Sequence, residues 1–117
     1  MFDFEKLEVY GKVQDVNVKV LTYLSGAGGI DGYIRDQWKR ASLSALFNLA
    51  EGTGRMSKQD KKHFYTIARG SIFECVAILN LLKETEVVDG EFYNDVYAEY
   101  ESCSKMLLAM YRSMDRE

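Results

Sequence analysis

Four stripes of apolar residues run along the chain at helical spacing, separated by short polar or glycine-rich stretches. In the first, Val9, Val13, Val16, Val20 and Tyr23 recur at alternating steps of four and three, widened by Leu7, Tyr10 and Leu24. That spacing turns one face of an α-helix toward a core. The run "SGAGGIDG" at 25–32 should end the helix, because clustered glycines favour no regular element. A second stripe passes through Ile34, Trp38, Ala41 and Ala45, with Leu46 and Leu49 beside it. Phe64, Ile67, Ser71, Cys75, Ile78 and Leu82 mark a third. Tyr93, Val96, Tyr100, Cys103, Leu107, Met110 and Met114 mark a fourth, with a turn expected at Asp89-Gly90. Helices of about 20–27 residues would each be about 30–40 Å long. Matched lengths and short connections predict an all-α, antiparallel up-down four-helix bundle forming one domain over 1–117. The third and fourth stripes are wide enough for burial on more than one side, which points to an oligomer.

Composition narrows the class. With 47% hydrophobic and 28% charged residues the chain is globular rather than disordered, and it contains no proline. The opening "MFDFEKLEVY" has no basic region leading into an apolar one. The longest nearly apolar stretch, Val76 to Leu82, is far short of a bilayer span. A cytoplasmic protein with no membrane partner is expected. Cys75 and Cys103 are the only cysteines and both fall on apolar helical positions, so two buried reduced thiols are expected.

The stretch "FNLAEGTGRMSKQD" at 47–60 poses a choice between a phosphate loop and a hinge. A P-loop requires a lysine and a hydroxyl directly after its glycines and a strand before them. Here Arg55 follows Gly54, and what precedes is helical. The hinge reading assigns Gly52 a left-handed position closing the second helix, and Ser57 an N-cap with Asp60 three residues on.

Several polar residues lie on or beside the inward faces. Asn48 continues the second stripe, and Ser44, Glu51, Arg69 and Glu74 flank the same surfaces. A buried charge is costly unless paired, so Arg69 and Arg40 are expected to meet Glu51 or Glu74 in a register-fixing network. No nucleophile or metal set accompanies these carboxylates. ExxH spacing is absent, and Glu51 with Glu74 alone makes no di-iron box. The single histidine, His63, reads as a surface or cap residue. No catalytic residue, metal or cofactor is expected.

Charge is unevenly placed. Between Arg35 and Arg69 eight basic residues (Arg35, Lys39, Arg40, Arg55, Lys58, Lys61, Lys62 and Arg69) face three acids. The net charge of the whole chain is −3. A basic end at the hinge would serve to bind nucleic acid, with Arg55, Lys58, Lys61, Lys62, Lys39 and Arg35 as candidates. It would equally serve to complement the acidic helices of a neighbouring subunit.

Three blocks resemble the four-helix-bundle family of 23S rRNA intervening-sequence proteins, once labelled a ribosomal protein family. Phe4, Leu7, Val9 and Tyr10 match its N-terminal F-x-x-L-x-V-[YW]. Arg40, Ala41, Ser44, Asn48, Leu49, Ala50, Glu51, Gly52, Gly54, Arg55 and Ser57 match R-A-x-x-S-x-x-x-N-[IL]-A-E-G-x-G-R-x-S. Phe64, Ile67, Ala68, Arg69, Gly70, Ser71 and Glu74 match F-x-x-I-A-R-G-S-x-x-E. Three departures stand out: Leu46 replaces a frequent proline, Lys61 and Lys62 replace apolar residues, and the first loop is glycine-rich. The missing proline implies a straighter second helix. The resemblance implies a bacterial bundle that assembles into a ring-like homopentamer. Family genes lie inside intervening sequences of large-subunit rRNA genes or stand alone. A distant branch acts as accessory subunit of a retroelement reverse transcriptase. The implied role is therefore a non-enzymatic RNA, DNA or ribonucleoprotein accessory factor, with a reverse-transcriptase-like protein among the implied partners; a protein-binding scaffold without nucleic-acid contact is the alternative.

Overall fold

The computed structural model describes residues 1–116. A 3-10 turn at Asp3–Lys6 leads into α1 (Glu8–Gly26), followed by α2 (Gly32–Thr53), α3 (Lys58–Glu84) and α4 (Gly90–Ser113), with no strand among the described residues. Each helix packs on the next, and α1 closes the square against α4, giving an elongated bundle of 47 × 22 × 21 Å.

The connections are built from local chemistry. Asp31 caps α2 by accepting from the amides of Tyr33 (3.0 Å) and Ile34 (3.2 Å), which satisfies donors that a helix start leaves unpaired. Ser57 Oγ accepts from the Asp60 amide at 3.0 Å, as its N-cap position predicts. Asp89 accepts from the Phe92 amide at 2.8 Å, so Asp89-Gly90 is the start of α4 rather than the turn itself. The turn residue is Glu86, at φ 62°. Its amide donates to Lys83 O (3.0 Å), and the Val87 amide donates to Leu82 O (2.9 Å). These two bonds form a Schellman motif closing α3, a place where glycine is usual.

Gly52 is a correction. It lies inside α2, which runs on to Thr53, rather than in a left-handed closing position. Its small size matters because a Cβ there would lie 2.7 Å from Tyr65 Cε1 and 3.0 Å from Phe64 Cβ. The glycine lets α2 and α3 meet closely just before the hinge. With Leu46 where a proline is frequent, α2 runs unbroken from Gly32 to Thr53.

The core takes Val9, Val13, Val16 and Val20 from α1, Trp38, Ala41, Ala45 and Leu49 from α2, and Val96, Tyr100, Cys103 and Leu107 from α4. The expected α3 stripe is half right. Ser71, Cys75 and Leu82 are buried, but Tyr65, Ala68, Ile72 and Leu79 complete the inward face and Ile67 is exposed. The reason is that α3 is apolar around more of its circumference than one core needs. By length and composition alone it would pass as a membrane-crossing helix, which the short Val76–Leu82 run does not suggest. Its outer face carries Phe73 (54% exposed), Ala77 and Leu81 (50%), with Gly70 among them.

A polar layer crosses the core at mid-height. Trp38 Nε1 donates to Tyr100 Oη at 2.9 Å, and Asn17 Nδ2 donates to Ser42 O at 2.7 Å. Ser42 Oγ sits 3.8 Å from Cys75 Sγ. Asn17 Oδ1 has no hydrogen-bond partner among the described residues.

Candidate functional site

The polar residues expected to form one buried network separate into four pieces along the flanks. Arg40 pairs with Glu74 across α2 and α3, as expected, and Arg40 Nε also donates to Gln37 Oε1 at 3.1 Å. Glu51 pairs with Arg55 one turn along. Asn48 Nδ2 donates to Ser44 O (2.8 Å) and Ser44 Oγ (3.1 Å), and Ser71 Oγ bonds Ser44 Oγ at 2.8 Å. Arg69 turns the other way: its Nε donates to Ser104 O on α4 at 3.1 Å, with the guanidinium 4.6 Å from the Phe73 ring centroid. Asn48 is half-buried rather than inward, and both ion pairs are solvent-accessible. Surface pairs of this kind contribute about 0–1 kcal/mol each.

Of the six basic candidates, four meet at one end of the bundle, where α2 ends and α3 begins. Arg55 lies with its guanidinium 4.5 Å from the Phe64 ring centroid. Lys61 Nζ donates to Thr53 O at 2.7 Å, capping the α2 C-terminus. Lys62 Nζ bonds Asp115 Oδ1 at 2.7 Å and lies 4.7 Å from the Tyr111 ring centroid. That carboxylate hydrogen bond raises the lysine's pKa further. Lys58 is exposed in the first turn of α3.

Arg35 and Lys39 do not join them. From Lys39 to Arg55 is about 24 Å along α2. Arg35 is occupied at the opposite end, donating to Leu24 O and, at 2.7 Å, to Ala27 O, where it caps α1. Lys39 is exposed. The basic segment of the sequence therefore spans both ends of the molecule.

The antiparallel topology nevertheless separates charge along the long axis. The hinge-side half (1–16, 44–69 and 103–116) holds ten basic residues against seven acidic ones. The other half (17–43 and 70–102) holds five against ten. Arg112 and Arg116 at the α4 C-terminus and Lys6 beside α1 reinforce the basic end; no local pattern in the sequence marks them as part of it. Lys19, in the acidic half, bridges Asp95 (2.9 Å) and Glu99 (2.8 Å), and its hydrogen bonds to those carboxylates raise its pKa.

Among the described residues no group of three His, Cys, Asp or Glu side chains is placed to hold a metal ion. His63 is exposed. Cys75 and Cys103 are free and buried, as expected, and burial pushes their thiols up to about 11 and about 12. A thiol held neutral in this way is a poor nucleophile.

These features define a charge-polarised, all-α four-helix bundle. The model of the 23S rRNA-intervening sequence protein family matches residues 5–109, and the chain belongs to that family. A solved structure with the same fold is the protein of unknown function from the S23 ribosomal protein family of Bacteroides thetaiotaomicron VPI-5482. It is 20% identical, covers 88% of this chain and 97% of its own, and superposes with a TM-score of 0.80. No curated protein matches the chain significantly.

Proposed function

We propose that this chain is a non-enzymatic, cytoplasmic, self-associating bundle protein whose basic end contacts RNA or DNA. The observation that carries the reading is the separation of charge, with Arg55, Lys58, Lys61 and Lys62 meeting at one end and acids gathering at the other. Lys61 and Lys62 use one donor each internally, and an ammonium has three, so both keep donors for phosphate oxygens. The outer face of α3 supports self-association: Ile67, Phe73 and Leu81 are exposed around Gly70, whose Cβ position is open space. A mid-helix glycine costs about 1 kcal/mol relative to alanine, and a close-packed neighbouring helix is what repays it. Family resemblance supplies the number five and the ring. In a ring the basic ends repeat around one rim, and weak contacts add through multivalency. A ribonucleoprotein or reverse-transcriptase-like partner fits the same surface.

A second reading, a protein scaffold without nucleic-acid contact, draws on the internal engagement of Arg55, Lys61 and Lys62. Charge reversal separates the two. Lys61→Glu with Lys62→Glu should abolish binding to structured RNA or DNA while leaving the oligomer mass unchanged. Loss of the oligomer in that variant would assign the lysines to subunit pairing instead.

A further inference from the structure

A cavity of about 530 Å³ opens at the basic end, lined from the 3-10 turn, which contributes Asp3, and from α2, the hinge, α3 and α4. Its size falls within the range of small-molecule sites. Met56, Met110 and Met114 supply much of the lining, and Lys58 and Lys61 contribute the cationic part. Burial grades inward from fully exposed Met56, through half-buried Met110 and Met114, to Tyr65, which is 3% exposed. The Tyr65 ring is buried, but its hydroxyl oxygen is not among the buried polar atoms left without a partner, so the hydroxyl reaches the cavity and can be met there. Desolvation raises its pKa, so the hydroxyl stays protonated and able to donate.

We infer that this cavity takes one unstacked base of a single-stranded nucleic acid. This rests on the basic end being a nucleic-acid surface, and names the form it prefers. Methionine thioethers make favourable contacts with aromatic ring systems and adapt to irregular shapes, which suits any base. The Tyr65 hydroxyl meets a donor or acceptor on the base edge. Lys58 and Lys61 then hold the flanking phosphates, and charge complementarity fixes which end of the ligand stays outside. A base paired in a duplex cannot enter, so the cavity discriminates by strandedness, as stacking sites for single strands do.

The test uses the intact chain and a labelled oligonucleotide of about 12 nucleotides, alone and annealed to its complement, read by fluorescence anisotropy at about 50 mM salt. The single strand should bind about tenfold more tightly than the duplex. Tyr65→Phe, which removes only the hydroxyl, should reduce that preference and leave duplex affinity and oligomer mass unchanged. Ser113→Trp, which fills the cavity from another wall, should do the same. Equal affinity for both forms, or a preference untouched by both variants, overturns the base pocket and leaves the basic-end reading standing. Absence of binding to either form overturns both. Displacement of a bound dye by a nucleoside monophosphate without strand binding would reassign the cavity to a free nucleotide and overturn the inference.

Discussion

Gly52 and Tyr65 touch at a distance that no other residue at position 52 permits: an added Cβ would lie 2.7 Å from Tyr65 Cε1. Tyr65 is buried, so a methyl at position 52 requires its ring to shift within the α2–α3 contact. Overpacking of this kind costs about 1–3 kcal/mol, against about 1 kcal/mol gained from the better helix propensity of alanine. Gly52→Ala should therefore lower the urea midpoint. Combining it with Tyr65→Leu should shrink the penalty, because contacting sites are not additive. A higher midpoint for the single variant would refute the close approach.

Glu86 poses the opposite case, a side chain where glycine would do better. At φ 62° an ordinary residue pays about 1–2 kcal/mol in backbone strain. Glu86→Gly should recover part of this and raise the melting temperature by a few degrees. An unchanged or lower value would show that the Glu86 side chain contributes more than the strain removes.

The two thiols set an alkaline limit. Burial raises Cys75 to about 11 and Cys103 to about 12, while an ordinary thiol ionises near 9. Between those values the unfolded chain has lost protons that the folded chain still holds, so stability is fully present below about pH 9 and falls as pH rises. The slope reaches at most about 1.4 kcal/mol per pH unit for each thiol. Denaturation series from pH 7 to above 10 check this, and Cys103→Val should flatten part of the slope. Both thiols should also resist iodoacetamide in the native state at neutral pH.

Asn48→Leu should change stability by less than about 1 kcal/mol, since its amide bonds only to Ser44 of its own helix and Ser44 keeps its bond to Ser71. Asn17→Leu should change stability by no more than about 1 kcal/mol, because it removes a buried carbonyl oxygen without a partner together with the Nδ2 bond to Ser42 O, and the two effects oppose each other. Thermal melts of the two variants decide both points. A large loss of stability at Asn48 would restore an inward network there.

Periodicity made the four helices legible, and capping chemistry located the start of α3 at Ser57, while Asp89, read as part of a turn, proved to be the N-cap of α4. What failed was the choice among faces. On α3 both Ile67 and Tyr65 lie on apolar rows, and only the positions of α2 and α4 decide which row turns inward. Arg69 shows the same limit, since a carboxylate on α2 and a carbonyl on α4 were equally reachable from sequence spacing alone. Asn17 and Ser42 carry no local signal at all; their pairing exists only across helices. Trp38 and Tyr100 did carry one, because each stands on an inward stripe with a polar atom that needs a partner. At the basic end Arg35 was grouped with Arg55 by sequence, and the length of α2 separates them.

The outer face of α3 makes its own prediction. Phe73→Glu should reduce the mass seen by light scattering at micromolar concentration, because it places a charge in the centre of the apolar band. Gly70→Ala should weaken assembly while stabilising an isolated chain by about 1 kcal/mol. A monomer mass for the unaltered protein would remove the self-association part of the account.

The most direct test of the central claim is the salt dependence of nucleic-acid binding by the unaltered protein. If Arg55, Lys58, Lys61 and Lys62 meet phosphates, log affinity should fall linearly and steeply with log salt. Each lysine reversed to glutamate should then reduce the slope by about one for every phosphate it no longer meets. Binding that ignores salt, or no binding at about 50 mM, would contradict a nucleic-acid surface at this end and leave the protein scaffold in its place.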